Sequence, residues 1–442
     1  LNWKEGVSDE EIARLEREFI SRTPYRERVD LSKRPEQVAD QVHEHIWLAV
    51  NAHLGTDARS LPQLVEQLGI MRFGHRPRVA DTFCGSGQIP FEAARLGCDA
   101  FASDLNPVAC MLTWGAFNVV GAGEGARKEL VAELEELAER CRQEIDALGI
   151  ETDGKGARAK VFLYCLEATC PESGWTVPLL PTFVVTKGQR TVVELVPDAR
   201  HKRYDIVVHN GVSDRALRDA EKGTVQNGAM VHTVDGVTYR TSISTLRGDY
   251  TAPDGKTKNR LRRWERSDFV FRPDDIFRER LYAIQWQFTK TVGGRERLVN
   301  AFRSVTAADL KREQLVTDYV RRHLEQWQEL GYAPDMQVEM GDETARLLKE
   351  RGWTHWHHLF NPRQLLTGAI LNALSKASAK FALTQVLNLN SRLSRFAEGG
   401  APATTGAFDN QALNTLYNYG CRGFAAIEPL LTANYRSFPL DG

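Results

Sequence analysis

Residues 79–107 read VADTFCGSGQIPFEAARLGCDAFASDLNP, and the fold turns on this stretch. Val79 and Ala80 close a short apolar strand, and Gly85-Ser86-Gly87 turn the chain. Ile89 to Leu96 supply one amphipathic helix, with Gly97 placed as a helix C-terminal glycine. Ala100 to Ser103 predict the next strand, and Asp104 sits at its tip. Strand, glycine turn, helix, strand and acidic stop make a βαβ unit, and so an α/β protein.

In a doubly wound sheet, ligands bind at the carboxyl ends of the strands, over the glycine turn. Glycine lets the backbone approach such a ligand closely. An acidic residue about 20 positions on can take both hydroxyls of a ribose, and Asp104 follows Gly85 by 19. The dinucleotide fingerprint wants a third glycine where Pro90 stands. Asp81, at the tip of the first strand, would repel a pyrophosphate but suits the ammonium and sulfonium of S-adenosylmethionine. The stretch therefore reads as an S-adenosylmethionine pocket, against a dehydrogenase-like or purely structural βαβ unit.

DTFCGSG followed by SDLNP resembles the cofactor motif of class I amino-methyltransferases acting on DNA, with Thr82 where that motif carries proline. GWTVPLLPTFVVTKG, TSISTLRGDY, NRLRRWERSDFVFRPDDIF, THWHHLFNPRQLL and NQALNTLYNYGCRGF resemble segments of the adenine-specific DNA methylases with a zinc-ribbon insert. That family is associated with bacterial anti-phage systems of the DISARM type, and the similarity runs from about Ser32 onward. The resemblance implies a Rossmann-like class I methyltransferase core with N-terminal helices and a β-rich, helical insert. It implies transfer of a methyl group to the N6 amine of adenine in double-stranded DNA, with other phage-defence proteins as further partners; the alternatives are a non-catalytic subunit that binds cofactor and DNA, or a methyltransferase for RNA or a small molecule. Asp81, Phe83, Gly85 and Gly87 are then at the methionine portion and Asp104 at the ribose, with Thr82, Ser86, Leu105 and Asn106 as further cofactor-binding residues. The family's catalytic Pro-Pro-aromatic loop has no counterpart, since none of the 17 prolines is followed by another. No catalytic residue is assigned. The chain reads as part of a longer protein, or as one without that loop.

The 442 residues suffice for two or three domains. A formal net charge of −1 provides no global attraction to nucleic acid or anionic membrane, so any DNA contact must use a local basic face. No run of 18 apolar residues occurs, so no membrane partner is expected. Seven scattered cysteines fit a reducing cytoplasm better than a disulfide framework. Four regions are expected: N-terminal helices over 1–70, the cofactor unit and a long helix over 71–150, a ribbon-like β insert with helices over 151–350, and a helical return over 351–442.

Ser8 and Glu11 form a capping box for a helix through about Phe19. Pro35 to Gly55 and Ser60 to Leu68 predict two more, the last ended by Gly69. Pro107 to Val119 reads as helix, and Glu124 to Leu148 as a long one with Leu130, Leu134, Leu137, Cys141, Ile145 and Leu148 on one stripe. Val161 to Cys165 and Tyr204 to Val208 read as strands. Lys187-Gly188 and Asp235-Gly236 mark hairpins. Phe277 to Thr289, Ala307 to Leu330, Pro362 to about Leu383, and Asp409 to Leu431 read as helices, the last with Asn410, Asn414 and Asn418 in a polar stripe. Residues 398–406 read as a Gly/Ala loop.

Cys165 and Cys170 form one pair where a zinc ribbon needs two, so zinc is not expected there. His355, His357 and His358 lack the i, i+4 spacing of a helical zinc motif and read as structural or base-facing. KTKNRLRRWER, residues 256–266, packs six basic residues around one tryptophan. Arg260, Arg262 and Arg263 would grip phosphates and Trp264 would stack on a base, or the segment is a solvated loop beside a core tryptophan. FNPRQL looks like a Phe-x-Pro-Arg segment that opens a helix beside the methionine end of the cofactor in many adenine methyltransferases.

Overall fold

The computed structural model describes residues 44–436, except 377, 398–402 and 408–411, and scattered positions between 8 and 24. The chain is mixed α/β and divides into two compact units, Leu1–Ala122 and Gly123–Gly442. The expected 71–150 region is thus split, its long helix falling with the second unit. The helix expected from Ser8 to Phe19, and the start of the one expected from Pro35, lie outside the continuously described residues.

In the first unit, α1 (Glu44–Leu54) and α2 (Leu61–Phe73) precede the βαβ motif. Ser60 caps α2 by accepting from the N–H of Gln63 at 3.4 Å, as Ser before Pro62 predicts. The helix does not stop at Gly69. It runs on to Gly74, whose φ of 74° supplies the left-handed C-cap. Gly69 is needed for close approach instead, because a Cβ there would lie 2.3 Å from Pro77 Cδ.

β1 (Arg78–Asp81) pairs in parallel with β2 (Asp99–Ala102), and α3 (Gln88–Arg95) connects them. Gly97 ends the helix turn at φ 87°, and a Cβ there would meet the backbone oxygen of Pro62 at 2.6 Å. α4 (Pro107–Gly115) starts at Asn106, whose side chain accepts from the N–H of Val108 at 3.0 Å. One π-helical turn over Ala116–Val120 continues it.

The second unit opens with α5 (Glu124–Ala147), whose buried stripe is Leu130, Leu134, Leu137, Ala138, Cys141 and Ile145. The insert is one large sheet of β3 (Arg158–Thr169), β4 (Thr176–Leu179), β5 (Val184–Thr186), β6 (Thr191–Asp198), β7 (Arg203–His209), β10 (Phe277–Val292) and β11 (Arg295–Ser304). Its order is β11-β10-β3-β4-β7-β6-β5, antiparallel except for β4 against β7. β8 (Ala229–Val234) and β9 (Val237–Ser242) make the separate Asp235-Gly236 hairpin. Both expected hairpins form.

Two expected helices are strands. Residues 277–292 form β10, because 281–286 are buried on both faces of the sheet. A doubly covered strand gives an unbroken apolar run, and such a run has no period to separate it from helix. Residues 418–422 form β12 (Asn418–Arg422), which pairs with β3 from Cys165 to Val161. Gly423 lies against β3, where a Cβ would come within 2.4 Å of Ala159 O. Helix begins only after it. The expected polar stripe therefore does not form: Asn414 accepts from Arg346 at 2.6 Å, Asn418 starts the strand, and Asn410 lies outside the described residues.

α6 (Ala307–Glu329) carries the Thr306/Asp309 capping box. α7 (Pro362–Leu374) ends nine residues before Leu383, at an extended Ser375, and α8 (Lys380–Leu389) is separate. α9 (Phe424–Arg436) closes the described chain and packs on α5.

Candidate functional site

The expected donor residues converge at the tips of β1 and β2. Ser103 donates its N–H to Asp81 O at 2.9 Å, and Cys84 donates to Ser103 O at 3.0 Å, locking the two strand ends. Gly87 N–H to Cys84 O at 2.7 Å closes the turn. Gly87 takes φ 82°, and a Cβ there would sit 2.6 Å from Thr113 Oγ1, so only glycine fits. The Asp81 carboxylate accepts from the N–H of Phe83 at 3.1 Å.

Asp104 faces the turn from the second strand. Its Oδ2 accepts from Gly85 N–H at 2.9 Å, and its Oδ1 from Asn106 N–H at 2.8 Å. These N–H groups, Asn106 first and Gly85 next, hold its carboxyl below the usual carboxylate range. The Leu105 N–H acts on the carboxylate as well, and with about four lone-pair sites on its two oxygens it keeps capacity for a further donor. Thr82 and Ser86 are exposed beside the turn, and Phe83 and Leu105 are 84% and 96% exposed. All nine residues thus lie on the turn or the two strand tips. A groove of about 610 Å³ lies on the β2–α4 side, lined by Ala102, Met111, Thr113 and Trp114 among others and by none of the nine. An apolar hollow of about 560 Å³ in the second unit, walled by Tyr332, Trp356, Phe360 and Leu383, contains none of the nine.

The basic segment is built differently from its expected role. Trp264 is 3% exposed. Its ring meets Phe271 edge-on at 4.9 Å and His358 at 5.0 Å, with the Arg392 guanidinium 5.5 Å away. No ring face remains for a base. Arg262 is ion-paired with Asp268 and Asp275, and the Asp275 carboxylate foremost holds its pKa above the ordinary value. These two residues are therefore core and clamp, which corrects the nucleic-acid assignment for both. Arg260 and Arg263 stay exposed, although Arg263 donates to Leu348 O.

Two of the three histidines, His357 and His358, are fully buried and structural, while His355 is half-buried. His358 Nδ1 accepts from the N–H groups of Thr354 (3.1 Å) and His355 (3.2 Å), which leaves Nε2–H to donate to Glu265 O. His357 Nε2 lies 3.1 Å from Asp268 O. Burial lowers the His357 pKa to about 4, so it is neutral at ordinary pH. Cys165 and Cys170 are fully buried in different apolar clusters of the sheet, with Cys170 Sγ 3.8 Å from Thr241 Oγ1. Among the described residues no group of three or more His, Cys, Asp or Glu is arranged to hold a metal ion, and no helix is long and apolar enough to cross a membrane.

Pro362 does open a helix, with Asn361 and Gln364 in a reciprocal cap. Arg363 belongs to a buried network of the second unit. It donates to Glu313 and to Ile150 O, while Tyr164 OH donates to Glu313 Oε2 at 2.7 Å. Sequence reasoning also missed a cationic hairpin at 288–299. Its signal was Gly293-Gly294 between two β-prone runs. The chain matches no family model, no curated protein and no solved structure.

Proposed function

We propose that the first unit binds S-adenosylmethionine and that the protein serves N6-adenine methylation of DNA. On this reading β1–α3–β2 is the donor half of a Rossmann-like class I core. The observation that carries it is Asp104, held at the strand tip by the backbone of the glycine turn with acceptor capacity left on its carboxylate. Two ribose hydroxyls can donate to those oxygens. Asp81 supplies negative charge where the sulfonium and ammonium lie. Phe83 and Leu105 offer exposed apolar surface to the purine. DNA as substrate and a setting in phage defence rest on the resemblance of the quoted segments.

The chemistry is an in-line transfer from sulfonium to a weakly nucleophilic amine. This chain's residues bind and orient the donor, and orientation supplies much of the rate. The acceptor base has to leave the duplex stack first. Calorimetric titration tests the donor site. Asp104→Ala is expected to abolish S-adenosylmethionine binding, and unchanged affinity would refute the assignment.

A further inference from the structure

We infer that the β10–β11 hairpin is a cationic ribbon that enters the major groove of duplex DNA. β10 pairs with β3 only as far as Gln287, which lies opposite Arg158. Beyond that point, among the described residues, β10 and β11 pair only with each other, through Phe288↔Val299, Thr289↔Leu298, Lys290↔Arg297, Thr291↔Glu296 and Val292↔Arg295. Five residues per strand extend the ribbon by roughly 17 Å. Gly293 (φ 60°) and Gly294 (φ 76°) close it with the paired left-handed turn that keeps a two-stranded ribbon tight.

The charges are sorted by face. Residues opposite one another point to the same side, and positions two apart share a face. Lys290, Arg295 and Arg297 therefore occupy one face, and Thr289, Thr291, Glu296 and Leu298 the other. All three cations are exposed, and none is ion-paired among the described residues. Lys290 stands directly across from Arg297, a like-charge pair that disfavours the hairpin by itself. An anion bridging that face removes the penalty. Arg295 and Arg297 are about 6.8 Å apart along the strand, close to the rise of two base pairs. The major groove, about 12 Å wide, admits a two-stranded ribbon. Three cations against one carboxylate give this tip the local positive charge that the whole chain lacks.

The choice of duplex DNA rests on the proposed function. The test measures binding of the full chain to a random duplex of about 24 base pairs across 50 to 200 mM salt, with duplex RNA and single-stranded DNA of the same sequence alongside. The wild type is compared with a Lys290→Ala, Arg295→Ala, Arg297→Ala triple variant. Loss of three phosphate contacts is expected to flatten the slope of log affinity against log salt by about 2.7 and to weaken binding at 50 mM salt at least about tenfold. Equal affinity and slope overturn the proposal, as does failure of the wild type to bind duplex DNA or a preference for either other nucleic acid. Matching circular dichroism melts of both proteins show an intact fold, and titration with S-adenosylmethionine separates the two readings: absent donor binding sinks the methyl-donor assignment without touching the ribbon.

Discussion

Asp104 illustrates how one side chain can be both structural and available. It ties the second strand to the glycine turn, yet its carboxylate keeps acceptor capacity beyond those backbone N–H groups. Glu151 is the opposite case. It is 4% exposed, and its Oε2 accepts from the Phe424 N–H at 2.7 Å. Burial outweighs the nearby Arg363 and pushes its carboxyl up to about 7 from an ordinary 4.5. The folded chain therefore holds this proton more tightly than the unfolded one. That stabilisation is complete below about pH 4.5 and is lost as pH rises through about 7, with a ceiling of roughly 3 kcal/mol. Glu151→Gln stays neutral throughout. Thermal unfolding from pH 5 to 8 should show the wild type losing stability relative to the variant, and parallel curves would contradict it. Trp264 separates packing from recognition in the same way. Trp264→Ala should cost about 3–5 kcal/mol of stability in denaturant unfolding, as loss of a buried ring does, and a near-neutral effect would restore its place as a base-stacking residue.

At the level of elements, local chemistry was legible wherever caps and turns decide. Ser60, Asn106 and Asn361 each cap the helix that the following proline announces. Lys187-Gly188 and Asp235-Gly236 both turn hairpins. Period failed where burial covers both faces, as at 281–286, because no polar side remains to mark alternation. Glycine misled where it serves close packing instead of termination. Gly69, expected to end a helix, sits inside one against Pro77. Gly97 does both jobs, so Gly97→Ala should destabilise the first unit by about 1–3 kcal/mol through its positive φ and the clash with Pro62. Hydrogen exchange at β1 and β2 would report this, and unchanged protection there would contradict it.

For the whole molecule, the residues expected at the donor site could be placed together from the sequence because they lie within one short βαβ unit. The exposed basic surface could not, since composition marks a basic cluster but not its exposure. Arg262 and Trp264 are sealed by aspartates and rings from distant positions, whereas the exposed cations stand on a hairpin with fewer charges. The 442 residues contain no Pro-Pro pair to hold a flipped adenine. The chain is therefore expected to bind the methyl donor yet transfer no label to DNA from tritiated S-adenosylmethionine, and measurable turnover would show that other residues present the amine. The most direct measurement is a crystal structure of the protein soaked with S-adenosylmethionine. The ribose hydroxyls should lie within hydrogen-bond distance of both Asp104 oxygens, with the sulfonium over Gly85-Ser86-Gly87. A donor lodged elsewhere, or a site that takes a nicotinamide dinucleotide instead, would contradict the account.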